Sequence, residues 1–509
     1  MKLSRYTLKN ISPENVIVPD EEIFELPEKV LQFGTGMLLR GLPDYFIDKA
    51  NRKGVFNGRI IMVKSTSRGD ATAFDRQDGL YTLCERGIID GKRMETNIIS
   101  SSVSRVFVAQ NDWKEILECA HNPNLKIIIS NTTEVGIQFT NDDIRHHPPI
   151  SYPGKLLAFL YERFLAFNGS ENSGFVIVPT ELILDNARKL ESIVFELAHL
   201  NGLNDDFIEW LERDNYFCNS LVDRIVTGMP DGTIRNEMEE ELGYKDDLLT
   251  VSEVYKLWAI EGDEKIKHIL SFAEADSNVF IAPDIELYHE LKLRLLNGTH
   301  TLTCGVALAC NYETVQQLME DPFTASFVED MMRSEIAPSI PFEIDKAVKE
   351  NFILKVLERF HNPHIHHYWR NISLNYSAKM QVRCIPLLIN FYKNNDSIPS
   401  FFTLGFAAYL YFMKNQRREG NVFYIELDHQ TYLMEDEMSE KFYNLWNNEP
   451  VQELVKSVLV NENFWGYDLT QLEGFRQKVT EYLHSIINNG MKATLQSIHS
   501  QKLFAGNES

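Results

Sequence analysis

The sequence contains few cysteines, and those it has are widely separated. Its 509 residues include six of them, none in a C-x-x-C pair: Cys84, Cys119, Cys218, Cys304, Cys310 and Cys384. Disulfide-rich secreted domains and cysteine-ligated zinc sites need closer, regular spacings. We therefore expect buried thiols and a cytoplasmic location.

Long apolar runs and an excess of positive charge are also absent. No uninterrupted apolar run reaches the length of about 18 residues that a membrane-spanning helix needs. The first residues, MKLSRYTLKNISPE, lack the apolar segment of a secretory signal. The sequence has 50 Lys and Arg and 73 Asp and Glu, which gives a net charge of −23. This charge argues against nucleic acid as a partner. Any site for an anionic substrate must therefore be locally basic.

The apolar pattern predicts two different halves. Four compact runs suit buried parallel strands and alternate with helical segments: Lys29–Phe33, Arg59–Lys64, Lys126–Ser130 and Phe175–Val178. This alternation predicts a doubly wound α/β domain over residues 1–280. From Asp284 onward the pattern is that of long amphipathic helices, with no convincing strands. Residues 281–509 are therefore predicted to form a mainly helical domain.

A glycine-rich turn follows the first predicted strand and opens a helix. In a dinucleotide-binding fold, Gly34 would make the tight turn and Gly36 would let the backbone approach the pyrophosphate. The third glycine of the fingerprint is replaced by Leu39, so an ordinary turn stays an alternative. The second strand ends at Lys64 with no acidic residue before Asp70. Lys64 and Arg68 could accept a 2′-phosphate or be solvated loop charges, so NAD and NADP both stay open.

The segment Asp284–His300 (DIELYHELKLRLLNGTH) carries candidate catalytic residues. At about 100° per residue, Lys292, Asn297 and His300 lie on one broad helical face, at 0°, about 140° and about 80°. Reduction of a carbonyl needs a proton donor and hydrogen-bond donors around the developing oxyanion. A buried lysine has a lowered pKa and can exchange a proton near neutrality. The alternative is a surface lysine and a histidine satisfied within the helix.

Several motifs together resemble the long-chain polyol and hexonate dehydrogenases of the mannitol dehydrogenase family. They are FGTGMLLRG at residues 33–41, DGLYTLCERG at 78–87, SNTTEVG at 130–136, NSLVDRIVTG at 219–228, KLRLLNGTH at 292–300 and RFHNP at 359–363. SYPGKL at 151–156 and ELGYKD at 241–246 are similar to the branch that converts tagaturonate to altronate. The resemblance implies a Rossmann-like N-terminal domain, a helical C-terminal domain, NAD as cofactor and no catalytic metal.

The resemblance also implies roles for individual residues. Lys292 is then the general acid/base, and Asn297 and His300 polarise and orient the reacting oxygen. Lys379, with Arg383 four residues later, offers the basic site for a substrate carboxylate. The predicted cofactor contacts are Phe33, Gly34, Thr35, Gly36, Lys64, Thr133 and Glu134. Where other branches carry S-C-D-N, this chain has Pro179-Thr180-Glu181-Leu182, and Asn186 is a possible replacement for the lost asparagine.

The resemblance therefore implies an NAD-dependent reduction of tagaturonate to altronate. Fructuronate and uncharged ketoses such as fructose stay open as substrates, as does a nucleotide-binding regulator without turnover. The expected partner is a small hexuronate, and the chain is expected to be a monomer or a weak dimer. The histidine-dense run at residues 361–367 could suggest zinc, but it lacks a second ligand cluster and is expected to be a polar loop.

Overall fold

The computed structural model describes residues 1–65, 71–132, 136–414, 417–427 and 430–505. The chain divides into two compact units. The first comprises Met1–Gly87 and Lys92–Ile285, and the second comprises Ile88–Gly91 and Glu286–Ser509. Within the described ranges, no helix combines the length and apolar character that crossing a bilayer requires.

The strands of the first unit include a parallel sheet and two smaller sheets. In chain order they are β1 (Glu28–Phe33), β2 (Arg59–Lys64), β3 (Tyr81–Ile89), β4 (Lys92–Ser100), β5 (Val103–Val108), β6 (Ile127–Ser130), β7 (Val176–Pro179), β8 (Tyr216–Phe217), β9 (Ser220–Asp223), β10 (Val226–Gly228), β11 (Thr250–Glu253), β12 (Leu257–Glu261) and β13 (Val279–Ala282). The six-stranded sheet has the order β5-β2-β1-β6-β7-β8, and all of its strand pairs are parallel. The chain therefore reverses direction across the sheet between β1 and β6, where doubly wound folds bind their ligands.

Helices cover both faces of this sheet. Those of the first unit are α1 (Met37–Gly41), α2 (Pro43–Arg52), α3 (Thr72–Arg76), α4 (Trp113–Glu118), α5 (Tyr152–Phe167), α6 (Asn186–Leu200), α7 (Asp205–Asp214), α8 (Gly232–Leu242) and α9 (Glu264–Ile269). Successive strand residues point to opposite faces. Val30 accordingly packs with α2 residues in one buried cluster, and Leu31 packs with residues of α4 to α7 in another. This arrangement confirms the predicted doubly wound domain.

A stretch of continuous helical periodicity in the first unit forms two helices. Residues 37–53 have this periodicity in the sequence, but α1 ends at Gly41 and α2 begins at Pro43. A proline disfavours helical backbone at the residue before it, and Leu42 indeed has φ −132° and ψ −77°.

The second unit is mainly helical, as predicted. Its α-helices are α10 (Glu286–Glu290), α11 (Thr299–Ala309), α12 (Val315–Glu320), α13 (Pro322–Met331), α14 (Lys346–Phe360), α15 (Trp369–Ile372), α16 (Tyr376–Lys379), α17 (Ile385–Asn394), α18 (Ser400–Phe412), α19 (Ser439–Asn448), α20 (Val451–Leu459), α21 (Glu462–Trp465), α22 (Phe475–Asn489) and α23 (Met491–Ala505). Three π-helical segments continue α10, α13 and α16, at Leu291–Gly298, Met332–Ile336 and Met380–Cys384.

Helix α18 lies at the centre of this unit. It is buried on nearly every side, which is typical of a core helix. It packs closely on α11, and glycines allow this close approach. A Cβ at Gly305 would lie 2.7 Å from the backbone of Ala408, and one at Gly405 would lie 2.7 Å from the Leu302 carbonyl oxygen. This close packing fixes the helix that carries His300.

The second unit also contains a small sheet that the sequence did not predict. Its antiparallel strands are β14 (Arg417–Glu419), β15 (Val422–Leu427) and β16 (Gln430–Leu433). Phe423 and Ile425 alternate with more exposed residues and join the helical core, so a single buried face holds the sheet in place.

Candidate active site

The glycine-rich turn lies at the carboxyl end of β1, beside β6. Gly34 has φ +129°, and a Cβ there would lie 2.7 Å from Leu39 Cδ1 and 3.0 Å from the Asn131 carbonyl oxygen, so the position requires glycine. A Cβ at Gly36 would meet no atom within 4 Å. Open space above an exposed backbone at the switch point is what a dinucleotide pyrophosphate needs, so these residues fit that group.

The structure also explains the incomplete fingerprint. Leu39 fills the space beside Gly34 and is fully buried. The close packing usually provided by a third glycine occurs instead at Gly41, where a Cβ would lie 2.7 Å from a methyl group of Val226. The motif search missed Gly41 because it lies outside the expected spacing.

The other predicted cofactor contacts differ in burial, and two of them lie outside the described residues. Phe33 is fully buried and packs against Tyr152, with ring centroids 5.2 Å apart, while Thr35 is half-buried in the turn. Lys64 is buried at the end of β2, next to the strand that carries the turn. Thr133 and Glu134, like Arg68, lie outside the residues that the structure describes.

The Pro179–Leu182 segment forms hydrogen bonds that stabilise the end of β6. The Glu181 carboxylate is buried and accepts hydrogen bonds from Thr132 N, Thr132 Oγ1 and Ser130 Oγ at 2.9, 2.9 and 3.1 Å. Burial raises the pKa of Glu181, and these donors oppose the rise. Leu182 is 58% exposed. The acid of this motif therefore orders the start of the SNTTEVG segment, a role that the sequence did not reveal.

Asn186 does not replace the missing asparagine. It is 1% exposed, and its Nδ2 donates to the carbonyls of Pro179, Glu181 and Ser220 at 3.0–3.1 Å. Its Oδ1 accepts from Ser220 N. Because the whole amide is used to join the start of α6 to β7 and β9, no donor is left for a substrate.

The second unit brings the predicted catalytic residues together on one continuous helix. Lys292 and Asn297 lie in the π-helical segment and are half-buried, and His300 lies in the first turn of α11. In a π-helix residue i+5 takes the place that i+4 has in an α-helix, because hydrogen bonds join i to i+5. Asn297 is therefore next to Lys292 on one face, closer than the 140° expected for an α-helix.

His300 has an unusual environment. Its ring stacks on Phe360 with centroids 4.4 Å apart and meets His367 edge-on at 4.9 Å. Its Nε2 is buried and has no hydrogen-bond partner among the described residues. Burial lowers the pKa of His300 well below its usual value. The electrostatic interaction with His367 and the positive charges of Arg359, Arg383 and Lys379 lower it further. The imidazole is therefore neutral at physiological pH and has a polar atom available for a ligand.

Lys379 and Arg383 contribute positive charge to the same cluster. Lys379 Nζ donates to the Ile372 carbonyl at 2.9 Å, and Arg383 Nη1 donates to Thr301 Oγ1 at 3.3 Å. Burial lowers the pKa of Lys379, and the neighbouring Arg383 lowers it further. Two mutually repelling, partly desolvated cations favour the approach of an anion.

Tyr376, which the sequence did not single out, connects α16 with α11. Its buried hydroxyl donates to the Thr301 carbonyl at 2.7 Å and accepts from Gly305 N at 2.9 Å. The hydroxyl thus inserts into the place of the ordinary i→i+4 bond of α11. This contact ties the helix of Lys379 to the helix of His300.

Within the described part of the chain, one group of side chains could hold a metal ion, and it lies outside the histidine run at residues 361–367. Among the described residues, the potential ligand atoms of Glu286, His289 and Glu290 lie within 4.8 Å of one another. Glu290 is already paired with Arg294 through two bonds of 3.0 and 3.2 Å. Residues 361–367 form no such group within the part of the chain that is described.

Comparisons with known proteins match most of the chain. Family models match on residues 28–270, the mannitol dehydrogenase Rossmann domain, and on residues 284–487, the mannitol dehydrogenase C-terminal domain. The altronate oxidoreductase of Bacillus subtilis (strain 168) is 36% identical over 475 residues, covering 93% of this chain and 95% of that protein. The altronate oxidoreductase of Escherichia coli O7:K1 is 34% identical over 483 residues, covering 93% and 97%.

Two solved structures share the fold. The Pseudomonas fluorescens mannitol 2-dehydrogenase in a ternary complex with NAD and D-mannitol has a TM-score of 0.71, with 20% identity over 98% of this chain and 100% of that one. A D-sorbitol dehydrogenase in substrate-free form has a TM-score of 0.78, with 20% identity over 97% and 100%.

Proposed function

The chain belongs to the mannitol dehydrogenase family, and from that membership we propose that it interconverts D-tagaturonate and D-altronate with NAD as cofactor. Relatives with the name altronate oxidoreductase, at 34–36% identity over most of both chains, support this choice of substrate. The observation that most supports this proposal is the group of cations around His300, which are Arg359, Lys379 and Arg383. A chain with a net charge of −23 needs such a local basic site to bind a sugar acid.

Lys292, Asn297 and His300 each have a defined role in the proposed reaction. When bound, NADH supplies the hydride that reduces the ketone carbon of tagaturonate. Lys292 donates a proton to the developing alkoxide oxygen and takes it back in the reverse direction. Asn297 and the neutral His300 hold that oxygen by hydrogen bonds. Because the chain provides its own proton donor, the proposed reaction needs no metal.

Lys379 and Arg383 bind the substrate carboxylate in this proposal. A site that pairs cations with a carboxylate discriminates against an analogue without it, because the partly desolvated cations are then left unmatched. We therefore expect tagaturonate to be strongly preferred over fructose. The choice between tagaturonate and fructuronate depends on one stereocentre, and fructuronate reduction is the second candidate function.

Substitution of Lys379 tests the proposed carboxylate site. Lys379→Ala should lower kcat/KM for tagaturonate by at least about tenfold, or about 1.4 kcal/mol, and reduce any activity on fructose much less. The matched control is Lys393→Ala, which removes an exposed lysine in α17. Equal losses on both ketoses would show that Lys379 does not recognise the carboxylate.

The alternative without turnover, a nucleotide-binding regulator, is disfavoured by the cluster itself. A sensor needs the turn at Gly34–Gly36 but has no use for a lysine beside an asparagine and a neutral histidine with an unpartnered Nε2. A cytoplasmic location is part of the proposal and rests on the six cysteines, which are all buried and unpaired.

A further inference from the structure

The two π-helical segments that carry the proposed substrate residues are joined by one buried arginine. Arg294 lies two residues after Lys292, and its side chain is 8% exposed. Its Nε and Nη2 donate to the two carboxylate oxygens of Glu290 at 3.0 and 3.2 Å. Its Nη1 donates to the carbonyls of Val382 and Arg383 at 2.6 and 3.0 Å. One guanidinium thus bridges the Lys292 helix and the Arg383 segment.

One of the two carbonyls that Arg294 binds, that of Val382, loses its α-helical donor to a proline. In an α-helix the Val382 carbonyl would accept from the N–H of residue 386, but that residue is Pro386, which has none. The helix widens instead, and Ile385 N donates to the Met380 carbonyl, an i→i+5 bond. Arg294 donates to the Val382 carbonyl from the neighbouring helix, in place of the α-helical N–H that Pro386 lacks.

The backbone that Arg294 holds is the backbone of Arg383. The Arg383 side chain donates to Thr301 Oγ1, and Thr301 Oγ1 donates to the Asn297 carbonyl at 2.8 Å. Gly298 also lies close to this segment, since a Cβ there would be 3.7 Å from the Arg383 carbonyl oxygen. The position of Arg383 relative to Lys292 and Asn297 therefore depends on contacts at both ends of this arginine.

We propose that Arg294 is a positioning residue, which sets Arg383 of the carboxylate-binding pair relative to the proton donor Lys292. Its planar fork is essential, because it holds Glu290 with one edge and two carbonyls with the other. A lysine could replace the charge but not this set of four directed bonds. This role deepens the proposed function and rests on it for the identity of the bound anion.

The test is a double-mutant cycle with Arg383, measured on the ketose that the wild-type enzyme reduces best. Arg294→Gln should raise KM and lower kcat/KM at least tenfold, and Arg294→Lys should not restore either value. In an Arg383→Ala background the same substitution should change kcat/KM by less than about threefold, because Arg294 acts through Arg383. The NADH dissociation constant, measured by fluorescence, should stay within twofold throughout.

The matched control is Arg333→Gln. Arg333 lies in another π-helical segment and forms the same i,i+4 pair, with Glu329 at 2.9 Å, but its second ion pair is with Glu350. Pro386→Ala provides a second route that leaves Arg294 in place. It restores an N–H for the Val382 carbonyl, so it should narrow the helix and raise KM in the same way.

The outcomes separate the two proposals. A wild-type enzyme that prefers fructose would overturn the proposed substrate. The double-mutant cycle could then still be measured with fructose. Full additivity of Arg294→Gln and Arg383→Ala, or full rescue by Arg294→Lys, would overturn the positioning role. If Arg294→Gln does not fold, an unchanged KM in both Arg294→Lys and Pro386→Ala would overturn it as well.

Discussion

Substitution of Gly36 by alanine separates cofactor binding from folding. Gly36 has φ −65°, which alanine adopts freely, and its added Cβ would meet no protein atom within 4 Å. The only expected cost to the fold is a poorer residue before α1, about 1 kcal/mol or less. If the pyrophosphate lies over this backbone, the methyl group occupies its place, and the NADH dissociation constant should rise at least tenfold, about 1.4 kcal/mol.

The assay is a titration of NADH fluorescence, with thermal unfolding measured on the same samples. Gly232→Ala is the matched control, because it adds a Cβ in open space at the start of α8, outside the proposed site. Gly34→Ala is less informative, since the strained φ and the contacts at 2.7 and 3.0 Å would also destabilise the first unit. Unchanged NADH affinity in Gly36→Ala would refute the placement of the cofactor on this turn.

Three further predictions concern the second unit. Lys292→Ala should lower kcat by about 10²–10⁴-fold while NADH affinity stays unchanged, because positioned acid/base catalysis contributes that much; stopped-flow NADH oxidation that retains more than about a tenth of the wild-type rate would move the proton transfer to another group. Activity should survive dialysis against EDTA, and loss that added zinc restores would point to a metal at Glu286, His289 and Glu290. Burial lowers the pKa of His367 to about 4. Between about pH 4 and pH 6.5, His367 binds a proton in the unfolded chain but not in the folded one. The free energy of unfolding should therefore fall as the pH drops from 6.5 toward 4, by about 2 kcal/mol between pH 7 and pH 5. His367→Gln should flatten this loss in urea unfolding, and an unchanged pH slope would exclude His367 as its source.

The regular parts of the fold were predictable because they depend on local apolar patterns. The predicted strand at residues 59–64 has the bounds of β2. The predicted strands at 29–33 and 126–130 differ from β1 and β6 by one residue at the start, and the one at 175–178 is shifted by one residue from β7. The small sheet of β14 to β16 was missed because its strands are short and only one face of it is buried.

The site was less predictable, because its geometry depends on contacts distant in sequence. An α-helical period placed Asn297 about 140° from Lys292, at the other edge of one broad face, and only the packed helix shows the π-helical turn that brings them closer. Asn186 was a reasonable donor by residue type, but its amide is used up by three carbonyls. The sequence analysis gave Arg294 no role, because its bonds to the Val382 and Arg383 carbonyls span almost ninety positions. Pro386 was the one sequence signal that could have revealed them.

The central claim is that this chain reduces a sugar acid, and the most direct measurement compares three ketoses. Initial rates of NADH oxidation with D-tagaturonate, D-fructuronate and D-fructose give kcat/KM for each under identical conditions. We predict the highest value for tagaturonate and a value for fructose lower by at least about 100-fold, since the cations around His300 are unmatched without a carboxylate. Comparable values for fructose and tagaturonate would contradict the sugar-acid assignment, and a preference for fructuronate would contradict only the choice of tagaturonate.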